Sequence, residues 1–116
     1  MLGKTQDDVQ LLDFIKTKLN TFVKWDLVRF FHDNPFAEDT AENIARYTGR
    51  EPYEIETELA ALVSEGIVQV NAIGQAQVYR MVKDPDTRDR IHQFVIACDD
   101  RDFRAKAIQQ VIEGLH

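Results

Sequence analysis

Thr40-Ala41-Glu42-Asn43-Ile44-Ala45-Arg46-Tyr47-Thr48-Gly49-Arg50-Glu51-Pro52-Tyr53-Glu54-Ile55-Glu56-Thr57-Glu58-Leu59-Ala60-Ala61-Leu62-Val63-Ser64-Glu65-Gly66 carries the clearest structural signal in the chain. Asp39 or Thr40 can cap a short helix by accepting a hydrogen bond from an otherwise orphaned backbone N–H. Ile44 and Ala45 face inward along it, and Gly49 can take the left-handed conformation that ends a helix. After the turn Gly49-Arg50-Glu51, Pro52 suits the first position of a new helix, where its missing N–H costs nothing. Ile55, Leu59, Leu62 and Val63 recur at the spacing of one helical face, and Gly66 supplies the next stop. The stretch reads as helix, tight turn, helix.

Beyond Gly66 the period changes from that of a helix to that of strands. Ile67-Val68-Gln69-Val70-Asn71 and Ala76-Gln77-Val78-Tyr79-Arg80-Met81-Val82 flank Ala72-Ile73-Gly74-Gln75, where Gly74 can take a positive φ, so one hairpin is expected. Upstream, Val9, Leu12, Ile15, Leu19, Phe22 and Val23 step by threes and fours, which predicts an amphipathic helix over residues 8 to 23 with Thr5 or Asp7 as N-cap. Trp25, Leu27, Val28, Phe30 and Phe31 form a second apolar cluster, a short helix that Asp33-Asn34-Pro35 ends because proline disfavours helix in the residue before it. Downstream, Asp84-Pro85-Asp86 opens a helical segment over 84 to 115. Its inward residues are Ile91, Phe94, Val95 and Cys98, then Phe103, Ala107, Ile108, Val111, Ile112 and Leu115. The polar run Asp99-Asp100-Arg101-Asp102 leaves open whether this is one helix or two. Trp25, Phe30 and Ile44 are expected to share one core with Leu59 and Leu62, since a small domain cannot fill two centres.

The chain has 116 residues, 44% of them hydrophobic and 29% charged, with eight prolines and glycines together. That size and balance suit a single folded domain over 1–116, built as helix 8–23, a middle over 24–82 and a helical segment over 84–115. No run approaches the ~20 apolar residues of a membrane span, and the opening Met1-Leu2-Gly3-Lys4-Thr5-Gln6-Asp7-Asp8 has no apolar signal core. One cysteine, Cys98, allows no internal disulfide, which fits a reducing cytoplasm. The net charge of −6 is confined to residues 34 to 66, where Arg46 and Arg50 stand against eight acidic side chains.

Reactive constellations are missing. Ser64 is the only serine and lies mid-helix without a glycine elbow. Five scattered glycines build no phosphate cradle. His32, His92 and His116 lack the spacing that would put two imidazoles on one helix face, so neither a metal nor a cofactor is implied. Cys98 lies on an apolar stripe followed by aspartates, which predicts a buried thiol with a raised pKa. The chain does not read as an enzyme.

The order of elements, mainly α with one two-stranded β-hairpin, resembles a winged helix-turn-helix with flanking N- and C-terminal helices. Residues 40 to 49, followed by Ile55, Leu59, Leu62, Val63, Glu65, Gly66, Ile67 and Val68, look like the core of small bacterial and archaeal winged-helix transcription regulators. The similarity spans about residues 24 to 82. It implies that the second helix of the motif enters the major groove of double-stranded DNA. The groove-facing candidates are then Arg50, Pro52, Tyr53, Glu54, Glu56, Thr57 and Ala60, with Arg80 on the hairpin.

The flanking helices resemble those through which such regulators dimerise. A homodimer is therefore expected through residues 8 to 23 and 87 to 115, with Leu12, Ile15, Leu19, Phe103, Ile108, Val111, Ile112 and Leu115 at the interface. The charge points to a second reading. A DNA surface is met mainly by lysine and arginine, yet Glu51, Glu54, Glu56 and Glu58 crowd this motif. A winged helix that has lost DNA binding and contacts a basic or apolar protein surface is the alternative.

Overall fold

Thr21 divides what the apolar spacing joins. The computed structural model describes residues 4 to 115, with side chains from Asp8 onward, and its first helix, α1 (Lys4–Lys18), stops short of the expected residue 23. The Thr21 hydroxyl accepts a hydrogen bond from Lys24 N at 3.2 Å and opens α2 (Phe22–Asp33), so Phe22 and Val23 belong to the second helix. Trp25 Nε1 donates to Leu19 O across the break at 2.7 Å. The buried side of α1 is Leu11 and Ile15, continued by Leu19, at steps of four. Val9 is exposed and Leu12 half-buried, so the inward stripe is rotated from the expected one. Thr5 and Asp7 lie inside α1, and its N-cap falls outside the described residues.

Val23, Leu27, Val28 and Phe31 bury one face of α2. The helix ends at Asn34, whose N and Nδ2 both donate to Phe30 O, ahead of Pro35. Thr40 caps α3 (Ala41–Thr48), accepting from Asn43 N, while Asn43 Nδ2 donates to Asp39 at 2.8 Å. Gly49 then adopts φ 73° and its N–H donates to Ala45 O at 2.8 Å. Pro52 opens α4 (Pro52–Ser64), with Ile55, Leu59 and Leu62 inward as the spacing predicts. Because a side chain at Gly49 must enter the left-handed region, Gly49→Ala is expected to cost ~1–2 kcal/mol although the added methyl meets open space. Urea denaturation that shows no loss would contradict this account of the turn.

Strands β1 (Val68–Ile73) and β2 (Ala76–Met81) pair antiparallel from Val68↔Met81 to Ile73↔Ala76. The loop is therefore Gly74-Gln75 alone, and Ala72 and Ile73, expected in the turn, complete the ladder. Gly74 has φ 63° and no non-glycine residue among those described has positive φ, the pattern of a type II′ turn. On the other side of β2, Asp39 and Tyr79 exchange both backbone hydrogen bonds, at 3.2 and 2.8 Å. This pins the entry to α3 against the hairpin.

The segment after the hairpin forms two helices, α5 (Pro85–Ala97) and α6 (Arg101–Gly114). Asp84 caps the first, accepting from Thr87 N and Oγ1, and Asp100 caps the second, accepting from Asp102 N. α5 packs on α2, and α6 on α1. Gln110 Nε2 donates to Leu12 O at 2.8 Å across the latter contact. One buried cluster contains Ile44, Leu59 and Leu62 together with Ile15, Phe31, Phe94 and Val111, and Trp25 and Phe30 pack half-buried against it. None of the helices described is long and apolar enough to cross a membrane.

Candidate nucleic-acid interface

The same periodicity that sends Ile55, Leu59 and Leu62 inward leaves Pro52, Tyr53, Glu54, Glu56, Thr57 and Ala60 on the outer side of α4, all exposed. Tyr53 is 82% exposed, an aromatic ring with no packing role in the chain. The hydroxyl of Thr57 donates to Tyr53 O at 3.0 Å within the helix, leaving its methyl and its acceptor capacity outward. The spacing of the core residues thus locates this surface.

Arg50 is less free than its exposed turn suggests. Its Nε donates to Asp26 Oδ2 at 2.8 Å and its Nη1 lies 3.7 Å from Glu54 Oε1. The hydrogen bond to Asp26 leads the causes that raise its pKa above the usual arginine value. The guanidinium links α2 to the start of α4 and is positioned by two carboxylates. Arg46 is exposed on α3, donating to Asn43 Oδ1 at 3.3 Å.

Between the start of α3, the outer side of α4 and the hairpin lies a cleft of about 570 Å³, lined by Thr40, Ala41, Glu42, Glu56, Ile73, Gln75, Ala76, Gln77 and Tyr79. No cation lines it. Burial pushes the Tyr79 hydroxyl above its ordinary pKa, and Glu56 and Glu42 push the same way because a phenolate would sit beside two negative charges. Arg80, expected beside these residues, opens on a different cleft with Lys83 and Arg88. The structure brings Arg50, Pro52, Tyr53, Glu56 and Thr57 together at one end of α4 and leaves Arg80 apart.

The eight residues expected at a dimer interface separate into two groups. Ile15, Leu19, Phe103 and Val111 are buried in the core of the chain itself, where α1 packs on α6 and α5, so they offer no free surface. Leu12 and Ile108 are half-buried, while Ile112 and Leu115 are 42% and 65% exposed. Val9 adds an exposed apolar side chain on α1.

One arrangement has no signal in local spacing. His32 on α2 and His92 on α5, sixty residues apart, place Nε2 and Nδ1 2.9 Å from each other with rings stacked, and Asp33 Oδ1 lies 3.1 Å from His32 Nδ1. This polar link joins the helix-turn-helix body to α5. Among the described residues, no group of three His, Cys, Asp or Glu side chains is placed to hold a metal ion. Cys98 is buried, and burial raises its thiol pKa. It is therefore expected to resist iodoacetamide at pH 8 while the denatured chain is alkylated readily, and equal rates would contradict the burial.

No protein-family model matches this chain, and no curated protein matches it. Among solved structures it is similar to a homodimeric winged helix-turn-helix DNA-binding domain from Mycobacterium bovis, described as a possible ArsR-family transcriptional regulator and determined by solution NMR. The TM-score is 0.61 at 22% sequence identity, covering 86% of this chain and 92% of that one. The described residues form a winged helix-turn-helix: α3 and α4 are the motif, the β1–β2 hairpin is the wing, and α1, α5 and α6 flank it.

Proposed function

We propose that the chain is a cytoplasmic, non-catalytic winged-helix regulator of transcription that binds double-stranded DNA as a homodimer, with α4 in the major groove. The observation that carries this reading is the outer side of α4, where Tyr53, Glu56 and Thr57 stand exposed on a helix whose opposite side is fixed in the core. Such a helix fixes its backbone before any partner arrives, so the ordering cost left for binding is that of the exposed side chains. In this arrangement Tyr53 meets sugar-phosphate or a thymine methyl, Glu56 accepts from a cytosine amino group, and Arg50 turns from Asp26 to a phosphate or a guanine. The likeness to a domain described as homodimeric and DNA-binding supports the same reading. A symmetric dimer through exposed Val9, Ile112 and Leu115 would set two α4 helices about one DNA turn, ~34 Å, apart.

Replacing Arg50 and Tyr53 together with alanine tests the docking. Specific retention in a gel shift against genomic fragments is expected to disappear. Unchanged retention would reject α4 as the reading helix.

A second reading has its own observation, which is charge. Arg50 is engaged by Asp26 and Glu54, and Glu42 and Glu56 line the cleft beside the wing. A face of this kind repels phosphate and suits a basic or apolar protein surface. On that reading the chain is a protein-binding adaptor that keeps the winged-helix fold.

A further inference from the structure

On the side of β2 away from β1, the loop Pro35-Phe36-Ala37 and the end of the strand enclose a cleft of about 420 Å³ into which Arg80, Lys83 and Arg88 all open. It shares no lining residue with the cleft beside α4. Its volume lies in the ~300–1,000 Å³ range of small-molecule sites.

The cations differ in how they are held. Arg88 is strapped in place: its Nε donates to Val82 O at 2.8 Å, its Nη2 to Met81 O at 3.4 Å and its Nη1 to Pro35 O at 3.5 Å. These bonds engage donors but leave the full positive charge fixed at the cleft. Arg80 is under-bonded. Its Nε is buried without a hydrogen-bond partner, and its Nη1 meets Glu38 only at 3.7 Å, beyond hydrogen-bond reach. Lys83 is exposed and has no ion pair among the described residues. Of the nearby acids, Asp84 keeps its charge but turns its carboxylate to Thr87 as a helix cap, and Glu38 is the carboxylate that approaches Arg80.

The wall is equally unusual. Phe36 is 97% exposed, although a phenylalanine in a folded chain ordinarily finds cover. Three cations and no carboxylate in the lining, beside a bare aromatic ring, match a ligand that is anionic at one end and flat and apolar at the other. The geometry points to a binding site for a small aromatic anion, a phosphate or carboxylate carrying a ring, with the charged group at Lys83 and Arg80 and the ring against Phe36. The site is distinct from the α4 surface and does not depend on what α4 binds. An acidic side chain of a protein would present the charge without the ring, so probes with and without a ring separate the two.

Titration of the ¹⁵N-labelled full chain with phenyl phosphate and, separately, with inorganic phosphate tests the proposal by NMR. Saturable shifts are expected at Phe36, Ala37 and Lys83, with phenyl phosphate about five-fold the tighter ligand. Lys83→Met is expected to weaken phenyl phosphate binding about tenfold. Phe36→Ala is expected to remove the advantage of phenyl phosphate over phosphate while leaving phosphate binding in place. Both substitutions are at exposed positions, and an otherwise unchanged spectrum confirms folding. Absence of saturable shifts at the cleft, equal binding of the two probes, or unchanged affinity for phenyl phosphate in Lys83→Met would overturn the proposal.

Discussion

Leu59→Ala is expected to lower the stability of the protein by about 2–5 kcal/mol, measured as the shift in a chemical-denaturation midpoint. Leu59 is fully buried in the middle of α4, on the same stripe as Ile55 and Leu62, and shares a core with Ile44 and Phe31. Truncation removes three carbons from contact on every side and leaves a void that α4, held at Pro52 by the Gly49 turn and at Gly66 by the hairpin, cannot close by sliding. The same helix carries Tyr53 outward, so this substitution should also weaken whatever α4 binds. A loss below about 1 kcal/mol would show that α4 is not packed as described.

The second large effect concerns assembly. Ile112→Glu combined with Leu115→Glu is expected to turn a dimer into a monomer of 13.4 kDa by light scattering at micromolar concentration. Ile112 on α6 and Leu115 at its C-cap are both exposed, so the fold of the single chain should survive the change. Loss of the second half-site is expected to reduce DNA affinity by about 100-fold or more, because the second α4 no longer binds at the effective concentration set by the first. If the unsubstituted chain itself stays near 13.4 kDa as concentration rises, the dimer is ruled out.

The sequence was most informative where one residue acts on its own neighbourhood. Thr40, Gly49, Pro52, Gly66 and Gly74 act through their own backbone or the next turn, and the helix-turn-helix and hairpin follow from them. Thr21 carries the same kind of signal but lies inside a continuous apolar period, which hid the break between α1 and α2. The inward face of α1 is ambiguous for a related reason: leucines at both 11 and 12 allow two registers, and tertiary packing selects Leu11. What was not legible joins distant elements. Arg50 looks free until Asp26 arrives from α2, and His32 meets His92 only once α5 folds onto α2. Burial of Ile15, Leu19, Phe103 and Val111 likewise depends on α1 meeting α6, so an apolar stripe alone did not separate core from interface.

Whether the chain binds DNA is decided by anisotropy on duplex genomic fragments as salt rises from ~50 mM. With Arg46 and Arg50 from each protomer as phosphate contacts, the account predicts saturable binding at ~50 mM salt and a log–log slope of roughly −3 to −4. That slope is shallow for a DNA-binding protein, as an acidic face requires. No binding at ~50 mM salt would contradict the DNA-regulator reading and leave the acidic α4 face to a protein partner.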